Sequence, residues 1–303
     1  MKVIEVNNLV KKYGNLTAVD NISFSVNQGC ICGILGPNGS GKTTTIKSIC
    51  NLIIPDKGSI KIFGKNNTKS MNLLSAIFDG TRNLYWRLTP KENLRYFAGI
   101  RGLGGKKIEN KIDELLDQFN LTDKKNTMVN ELSRGMRQKV AIAMALICDT
   151  DIILLDEPTL GLDVQSYMDI KNILLDITTN MNKTILLSTH AMDLVEEVCD
   201  DVVILNQGKI VVNDSVGNLM GMVKRKTYEV NLLHTLSDEN IEYIINSHLG
   251  CYVMEDKSSI EVDIIDSKEI YNLIDVLKQQ NIFIKEIKQK EINFQRLYLN
   301  FTQ

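Results

Sequence analysis

The residues best suited to bind phosphate lie near the N-terminus in one glycine-rich run. They are Gly36, Pro37, Asn38, Gly39, Ser40, Gly41, Lys42, Thr43 and Thr44. Glycines let the backbone curl closely enough to offer several N–H donors to a triphosphate, and the Lys42 ammonium adds a positive charge toward the β- and γ-phosphates. The Thr43 hydroxyl is a candidate ligand of Mg²⁺. The pattern therefore predicts a phosphate-binding loop.

The segments on either side of this loop have the patterns that such a loop requires. The apolar run 30–35 predicts a short strand, and residues 44–52 predict a helix whose positive N-terminus faces the phosphates. The agreement of strand, loop and helix favours a working loop over a chance match.

Two neighbouring carboxylates follow a second apolar run. Residues 152–155 predict a buried parallel strand that ends at Asp156 and Glu157, where α/β ligand sites lie. Asp156 is a candidate to hold Mg²⁺ through its water shell, and Glu157 is a candidate general base for a hydrolytic water. Taken alone, the pair is equally typical of a strand end with two solvated acids.

Two further polar residues stand next to predicted elements of the core. Residues 184–188 predict another apolar strand, and His190 follows it as a candidate contact of the γ-phosphate. Away from the other motifs, a histidine there would be interpreted as a capping residue. Residues 160–163 predict a turn that could carry Asp163 to a neighbouring subunit.

A third motif lies between the phosphate-binding loop and the carboxylates. It consists of Leu132, Ser133, Arg134, Gly135 and Met136. Ser133 is a good N-cap, and residues 134–147 are compatible with a helix whose N-terminus would present N–H groups to a γ-phosphate. The alternative is an ordinary capped helix of the core.

In this order the motifs resemble the ATP-binding subunits of ABC transporters, over residues 1–215. The resemblance implies an α/β fold: a P-loop NTPase core of ABC ATPase type, an N-terminal antiparallel β subdomain and a helical subdomain over residues 88–150. It implies that Lys42, Glu157 and His190 serve catalysis, with ATP and Mg²⁺ as cofactors. It also implies that residues 132–136 close on ATP held by a partner subunit, so that two sites form only in a head-to-tail dimer.

The resemblance also includes residues that would contact adenine, and the sequence departs from the family pattern at two positions. Tyr13 matches the aromatic residue that stacks on adenine, with Val19 as a second apolar contact, although a strand tyrosine packed on the first sheet is an alternative. Arg134 replaces the usual first glycine of the signature, while Ser133 and Gly135 are kept, and we infer a working signature. Asp79 aligns with a glutamine that ligates Mg²⁺, and an aspartate can do the same.

Composition excludes several other classes of protein. The chain has 303 residues, 44% hydrophobic, and its 35 basic and 37 acidic residues leave no basic footprint for nucleic acid. The longest apolar stretches, such as 140–148, are shorter than the roughly 20 residues that span a bilayer, and residues 1–10 alternate like a strand rather than a signal peptide. The six scattered cysteines indicate buried thiols of a reducing cytosol.

The pattern changes after about residue 215. Residues 216–226 are expected to be a linker that ends in the basic Lys224-Arg225-Lys226, and residues 227–303 a C-terminal accessory α+β domain. Five segments alternate there between strand and helix, which favours a ferredoxin-like arrangement; they are 228–232, 238–247, 259–264, 268–279 and 282–287. The ending 294–302 resembles the tail of extended exporter-type subunits.

These observations predict an ATPase that drives a membrane exporter of a drug, peptide antibiotic, lipid or ion. It would form a homodimer or a heterodimer with another ATP-binding subunit, and would lie on the cytoplasmic face of the membrane through a transmembrane permease subunit. One alternative is a soluble ABC-type ATPase acting on ribosomes or DNA, which usually needs two cassettes or a long coiled coil that the sequence lacks. Another alternative is a regulatory cassette that barely hydrolyses ATP. Asp79, at the position of the usual glutamine, is the residue that supports it.

One segment predicts where the membrane partner docks. Residues 82–87 follow Asp79 and place Tyr85 and Trp86, the only tryptophan, among charged and polar residues. Our hypothesis is that these aromatics line a groove for a short cytoplasmic helix of the permease, because aromatics and arginine are favoured at binding hot spots. The alternative is that they simply cover the helical subdomain.

Overall fold

The computed structural model describes residues 1–78, 84–222, 226–247, 251–254, 256–264, 268–290 and 298. Its chain divides into two compact units, Met1–Val216 and Gly217–Phe301. The expected linker 216–226 is not a plain linker, since Val216–Met222 is helical. Lys224 and Arg225 lie outside the described residues.

The first unit alternates strands and helices in the order of a nucleotide-binding α/β protein. Its elements are β1 Lys2–Tyr13, β2 Leu16–Asn27, β3 Ile31–Leu35, α1 Lys42–Ile49, β4 Lys57–Ile62, β5 Lys65–Asn66, β6 Leu74–Ile77, α2 Pro90–Ile100, α3 Lys106–Gln118, α4 Arg134–Ile147, β7 Ile152–Asp156, α5 Val164–Thr179, β8 Thr184–Thr189, α6 Met192–Val198, β9 Asp201–Asn206 and β10 Lys209–Ser215. Helix α7 Val216–Met222 begins at the last residue of the first unit and continues into the second.

An antiparallel sheet forms the N-terminal layer. Its strand order is β2-β1-β4-β5, and both β1 and β2 alternate between buried and exposed positions. Ile4 and Val26 from this sheet share one apolar core with Ile46 of α1 and Leu154 of β7. The layer is therefore packed against the part of the unit that carries the phosphate-binding loop.

The central sheet has the order β10-β9-β3-β8-β7-β6. Every neighbouring pair is parallel except β9 and β10. Strands β3, β7 and β8 are buried along their whole length, as expected of parallel strands covered on both faces. The register pairs Leu35 with Thr189 and Asp156 with Ser188, so the carboxyl ends of these three strands share one edge.

Helices α2, α3 and α4 form the helical part of the unit. A capping box begins α2, because the Thr89 side chain accepts from the Glu92 N–H and the Glu92 carboxylate accepts from the Thr89 N–H. Helix α4 begins and ends where the sequence predicts, and most of its side chains are buried. Helix α1 begins two residues before its predicted start and ends three residues before its predicted end.

The second unit contains β11 Lys226–Leu232, α8 Asp238–Ser247, β12 Cys251–Val253, β13 Ser259–Ile264, α9 Lys268–Gln279 and β14 Ile284–Lys290. Its sheet is antiparallel, in the order β12-β13-β11-β14, which is the ferredoxin-like βαββαβ arrangement. Val230, Ile260 and Leu273 belong to its separate core. The sequence pattern does not predict β12, and β14 begins two residues after its predicted start.

Two features of the described ranges bear on the expectations from composition. None of the helices there combines the length and the hydrophobicity that spanning a bilayer requires. All six cysteines fall in these ranges and are free thiols, and burial raises the pKa of Cys50 to about 12 and that of Cys30 to about 11.

One buried amide fixes the segment before α2 and generates a stability prediction. Asn93 is fully buried; its Oδ1 accepts from the Tyr85 N–H at 2.9 Å, and its Nδ2 donates to the carbonyls of Tyr85 and Thr89 at 3.1 and 3.0 Å.

Asn93→Ala leaves these backbone groups unpaired, so we expect the free energy of unfolding to fall by about 2 kcal/mol. Thermal denaturation measures this, with the exposed Asn213→Ala as control. Equal midpoints for the two variants would show that Asn93 is dispensable.

Candidate functional site

The loop between β3 and α1 keeps a conformation that only glycine allows at two points. A Cβ on Gly36 would lie 2.5 Å from the Ser40 hydroxyl oxygen, and a Cβ on Gly41 would lie 2.5 Å from the Ala18 carbonyl oxygen. Gly41 also has φ of 104°, in the left-handed region. Pro37, Asn38 and Gly39 form the exposed tip. The loop is therefore a tightly curled backbone with its tip open to solvent.

Lys42 anchors this loop from inside. Its side chain is only 6% exposed, and its ammonium donates to the carbonyl oxygens of Gly36 and Pro37 at 2.8 and 3.2 Å. The same nitrogen lies 3.6 Å from the Glu157 carboxylate. A buried cation needs such partners, because a charge taken out of water is costly unless it is paired.

The loop offers further groups that suit an anion. Gly41 is the N-cap of α1 and has no side chain to cap the helix, so the first N–H groups of α1 have no side-chain acceptor there. The hydroxyl of Ser40 is buried and has no hydrogen-bond partner among the described residues. Thr43 and Thr44 stand on the first turn of the helix. These donors fit the phosphates of a nucleotide.

A set of oxygen atoms lies beside the loop and fits a hard cation. The Thr43 hydroxyl is 3.1 Å from both carboxylate oxygens of Asp156, which is 7% exposed. Ser188 also donates its hydroxyl to Asp156. No group of three or more His, Cys, Asp or Glu side chains that could hold a metal occurs among the described residues, so a metal held by Thr43 and Asp156 would take its other ligands from phosphate and water. Asp79, the third predicted ligand, lies outside the described residues.

Glu157 and His190 form a pair at the same edge. Glu157 has φ of 51°, and its N–H donates to the Ser188 carbonyl at 2.9 Å, which turns the chain out of β7. One carboxylate oxygen of Glu157 lies 2.9 Å from Nδ1 of His190, and the other faces Lys42. The histidine is half-exposed. Glu157 is thus held between a buried ammonium and an imidazole that reaches solvent.

The signature residues occupy the N-terminal end of α4. The Ser133 hydroxyl accepts from the Met136 N–H at 3.2 Å, as its predicted N-cap role requires. Leu132 is buried, Ser133 and Arg134 are exposed, and Gly135 is buried against Ser166. Within the described part of the chain, no hydrogen bond joins Ser133 to the phosphate-binding loop.

Asp163 caps the next helix. Its carboxylate accepts from the Ser166 N–H at 2.8 Å and from the Ser166 hydroxyl at 3.0 Å, and these bonds lower the pKa of Asp163. Asp163 itself is exposed. A partner subunit could therefore reach this residue.

The two residues predicted to contact adenine lie in different settings. Tyr13, at the end of β1, is 47% exposed, with the Lys11 ammonium 5.5 Å from its ring centre. Val19 is fully buried, and its Cγ2 would contact a Cβ on Gly41 at 3.4 Å. The ring of Tyr13 is thus accessible to solvent, whereas Val19 packs against the phosphate-binding loop at Gly41.

Sequence analysis missed Ser188 as a site residue. It lies one residue before the end of β8 and contacts two residues of the site. Its hydroxyl donates to the Asp156 carboxylate, and its carbonyl accepts from the Glu157 N–H. The signal that could have found it is a hydroxyl residue directly after the apolar run 185–187, at the end of β8 that approaches the site.

Comparison with known families and relatives agrees with this geometry. The family described as "ABC transporter" matches residues 19–160. The ABC transporter ATP-binding protein NatA of Bacillus subtilis is 39% identical over 206 residues, covering 67% of this chain and 83% of NatA. The linearmycin resistance ATP-binding protein LnrL of B. subtilis is 28% identical over 313 residues, covering 99% of this chain and 98% of LnrL.

A solved structure matches the first unit in three dimensions. It is a dimeric ATP-binding cassette in a post-hydrolysis state, bound to ADP and Pi, with a TM-score of 0.63 and 27% identity. The match covers 70% of this chain and 98% of that cassette. Together with the curled loop, the paired carboxylates and the capped signature helix, these similarities establish that the chain belongs to the ATP-binding proteins of ABC transporters.

Proposed function

We propose that this chain hydrolyses ATP to drive export through a membrane ABC transporter. As a member of its family the chain is an ATPase that binds nucleotide. The observation that carries the proposal is the convergence of Lys42, Thr43, Asp156, Glu157 and His190 on the edge where β3, β7 and β8 end. Export is favoured because LnrL, a resistance protein, matches this chain through both of its units.

Each residue of the edge has a chemical role in this proposal. The Lys42 ammonium would turn from the loop carbonyls to the β- and γ-phosphates, where it neutralises charge. Glu157 would accept a proton from the attacking water, and His190 would orient the carboxylate through its imidazole. Thr43 and Asp156 would hold Mg²⁺, which when bound spreads the developing negative charge of the phosphate oxygens.

The signature residues would serve a second subunit. Ser133 is exposed at the N-terminus of α4 and is not bonded to its own phosphate-binding loop within the described chain. A γ-phosphate presented by a partner would find the Ser133 hydroxyl and the N–H groups of the helix N-terminus there. We therefore propose two shared sites in a head-to-tail dimer, either of identical chains or with another ATP-binding subunit.

The membrane partner would dock beside the helical part of the unit. A groove of about 450 Å³ lies there, and its lining includes Leu84, Tyr85, Phe97 and Arg101. Trp86 is not part of the lining; it lies next to Tyr85 in the chain, 48% exposed, with the Arg137 guanidinium 5.4 Å from its ring centre. The proposed occupant is a short cytoplasmic helix of the permease, which would place this chain on the inner face of the membrane.

The first test concerns hydrolysis. Glu157→Gln should keep ATP binding but slow steady-state turnover by roughly 10²–10⁴-fold, the usual range for loss of a positioned general base. ATP trapped in this variant should stabilise a dimer, which size-exclusion chromatography would detect. The exposed Glu114→Gln, on α3, is the matched control. Unchanged turnover in Glu157→Gln would remove this residue from the proposed role.

The second test concerns shared sites. Chains with Lys42→Ala are mixed with chains with Ser133→Arg, so that one site of a mixed dimer carries both lesions and the other carries neither. We expect ATPase activity to recover partly on mixing, above that of either parent treated in the same way. Mixtures as inactive as the parents, under conditions where the chains exchange, would contradict the shared-site proposal.

The third test concerns docking. Tyr85→Ala and Trp86→Ala should each leave the isolated chain folded and able to bind ATP, yet weaken assembly with the permease by more than about 1 kcal/mol. Co-purification and affinity measurement check this, with the half-exposed Val211→Ala on β10 as control. Normal assembly by both aromatic variants would eliminate the docking role, and loss of folding would favour a covering role.

A further inference from the structure

The segment that follows Glu157 contacts the first turn of α4 at two places, one in helix α5 and one in the loop that precedes it. Residues 158–163 are called the 158–163 loop below. The first contact joins Gly135 to Ser166, because a Cβ on Gly135 would lie 2.6 Å from the Ser166 Cβ. Ser166 in turn is bonded to Asp163, the last residue of the loop. One end of the loop is therefore tied to the signature turn.

The second contact joins the middle of the loop to Arg134. Gly161 has φ of 65°, and a Cβ built on it would lie 2.7 Å from the guanidinium carbon of Arg134. The planar guanidinium thus rests directly against the Gly161 backbone. Within the described ranges, the side chain of Arg134 has no hydrogen bond and no ion pair. Its side chain is held there by packing.

Helix electrostatics does not account for this arginine. Arg134 is the first residue of α4, where the helix dipole disfavours a cation by about 0.3–1 kcal/mol. The contact with Gly161 gives a different explanation for Arg134. Its side chain covers the 158–163 loop, which Glu157 precedes and Asp163 ends.

We propose that Arg134 is a positioning residue: its guanidinium holds Gly161 and so fixes the 158–163 loop against the signature turn. Glu157 serves the nucleotide of its own chain, whereas Ser133 serves the nucleotide of the partner. The contact between Arg134 and Gly161 sets the position of Glu157 relative to Ser133. This inference rests on the proposed function, in which both residues act on ATP.

The planar shape of arginine is essential to this role. A guanidinium can lie flat over the backbone of a glycine, whereas a lysine ammonium is a compact, strongly hydrated point charge with no flat face. A glycine at position 134 would leave the loop uncovered. Replacing the planar guanidinium by a lysine ammonium should therefore break the contact with Gly161, even though the positive charge is kept.

The experiment breaks the contact from each side in the full-length chain. Arg134→Ala removes the guanidinium, and Gly161→Ala pushes it aside, because the end of a flexible side chain yields before the backbone does. We expect each variant to lower kcat of ATP hydrolysis by about tenfold through misplacement of catalytic groups, with KM for ATP within about twofold of the parent. The double variant should be no slower than the slower single variant, because both changes break the same contact.

Two controls separate this role from general effects. Gly102→Ala introduces the same backbone strain, at φ of 72°, where a Cβ meets nothing within 4 Å, and should leave kcat unchanged. Arg134→Lys keeps the charge and should be as slow as Arg134→Ala. The thermal midpoints of the Arg134 variants should match that of the parent, so that a change in kcat is not a change in folding.

Three outcomes would overturn the proposal: parental kcat in Arg134→Ala, recovery by Arg134→Lys, or fully additive losses in the double variant. Each of them leaves the Glu157→Gln and mixed-chain results as they are. Failure of this inference is therefore distinguishable from failure of the proposed function.

Discussion

The buried ammonium of Lys42 is the contact on which the site depends. It joins the carbonyls of the phosphate-binding loop to the Glu157 carboxylate, 3.6 Å away, and so connects the end of β3 with the end of β7. The charge is nearly inaccessible to water, so each partner limits where the others can lie. A phosphate that drew the ammonium away would also release Glu157 from its cationic neighbour. In the proposed function, nucleotide binding would in this way be physically linked to the state of Glu157, the proposed base.

The parallel register explains why this link is possible. Asp156 pairs with Ser188 and Leu35 with Thr189, so three strands deliver their following residues to one edge. Strands β3, β7 and β8 are buried on both faces, so a slip by one position would place every side chain in the packing of the opposite face. The antiparallel layer contributes by packing Val19 under the loop.

Local signals decided how much the sequence could predict. Ser133 marks the start of helix α4 in the sequence, whereas the N-cap of α1 is Gly41, which gives no side-chain signal. Strand β12 has only three residues, too few for an alternating pattern. The curled loop and the carboxylate pair were predicted as motifs, but the contact between Arg134 and Gly161 depends on how two distant segments pack. No pattern along the chain contains that information.

The edge of the second unit's sheet carries a consequence for the protein in a crowded cell. Among the described residues, strand β14 lies at one end of that sheet and pairs with β11 alone, so its other side has no neighbouring strand there. Its exposed residues include Lys285, Glu286 and Lys288, and Lys288 lies 2.9 Å from the Glu286 carboxylate. Charged side chains along an open edge oppose pairing with the strand of another molecule. The charged residues of β14 therefore oppose aggregation of the protein through backbone pairing at this edge, even at high local concentration.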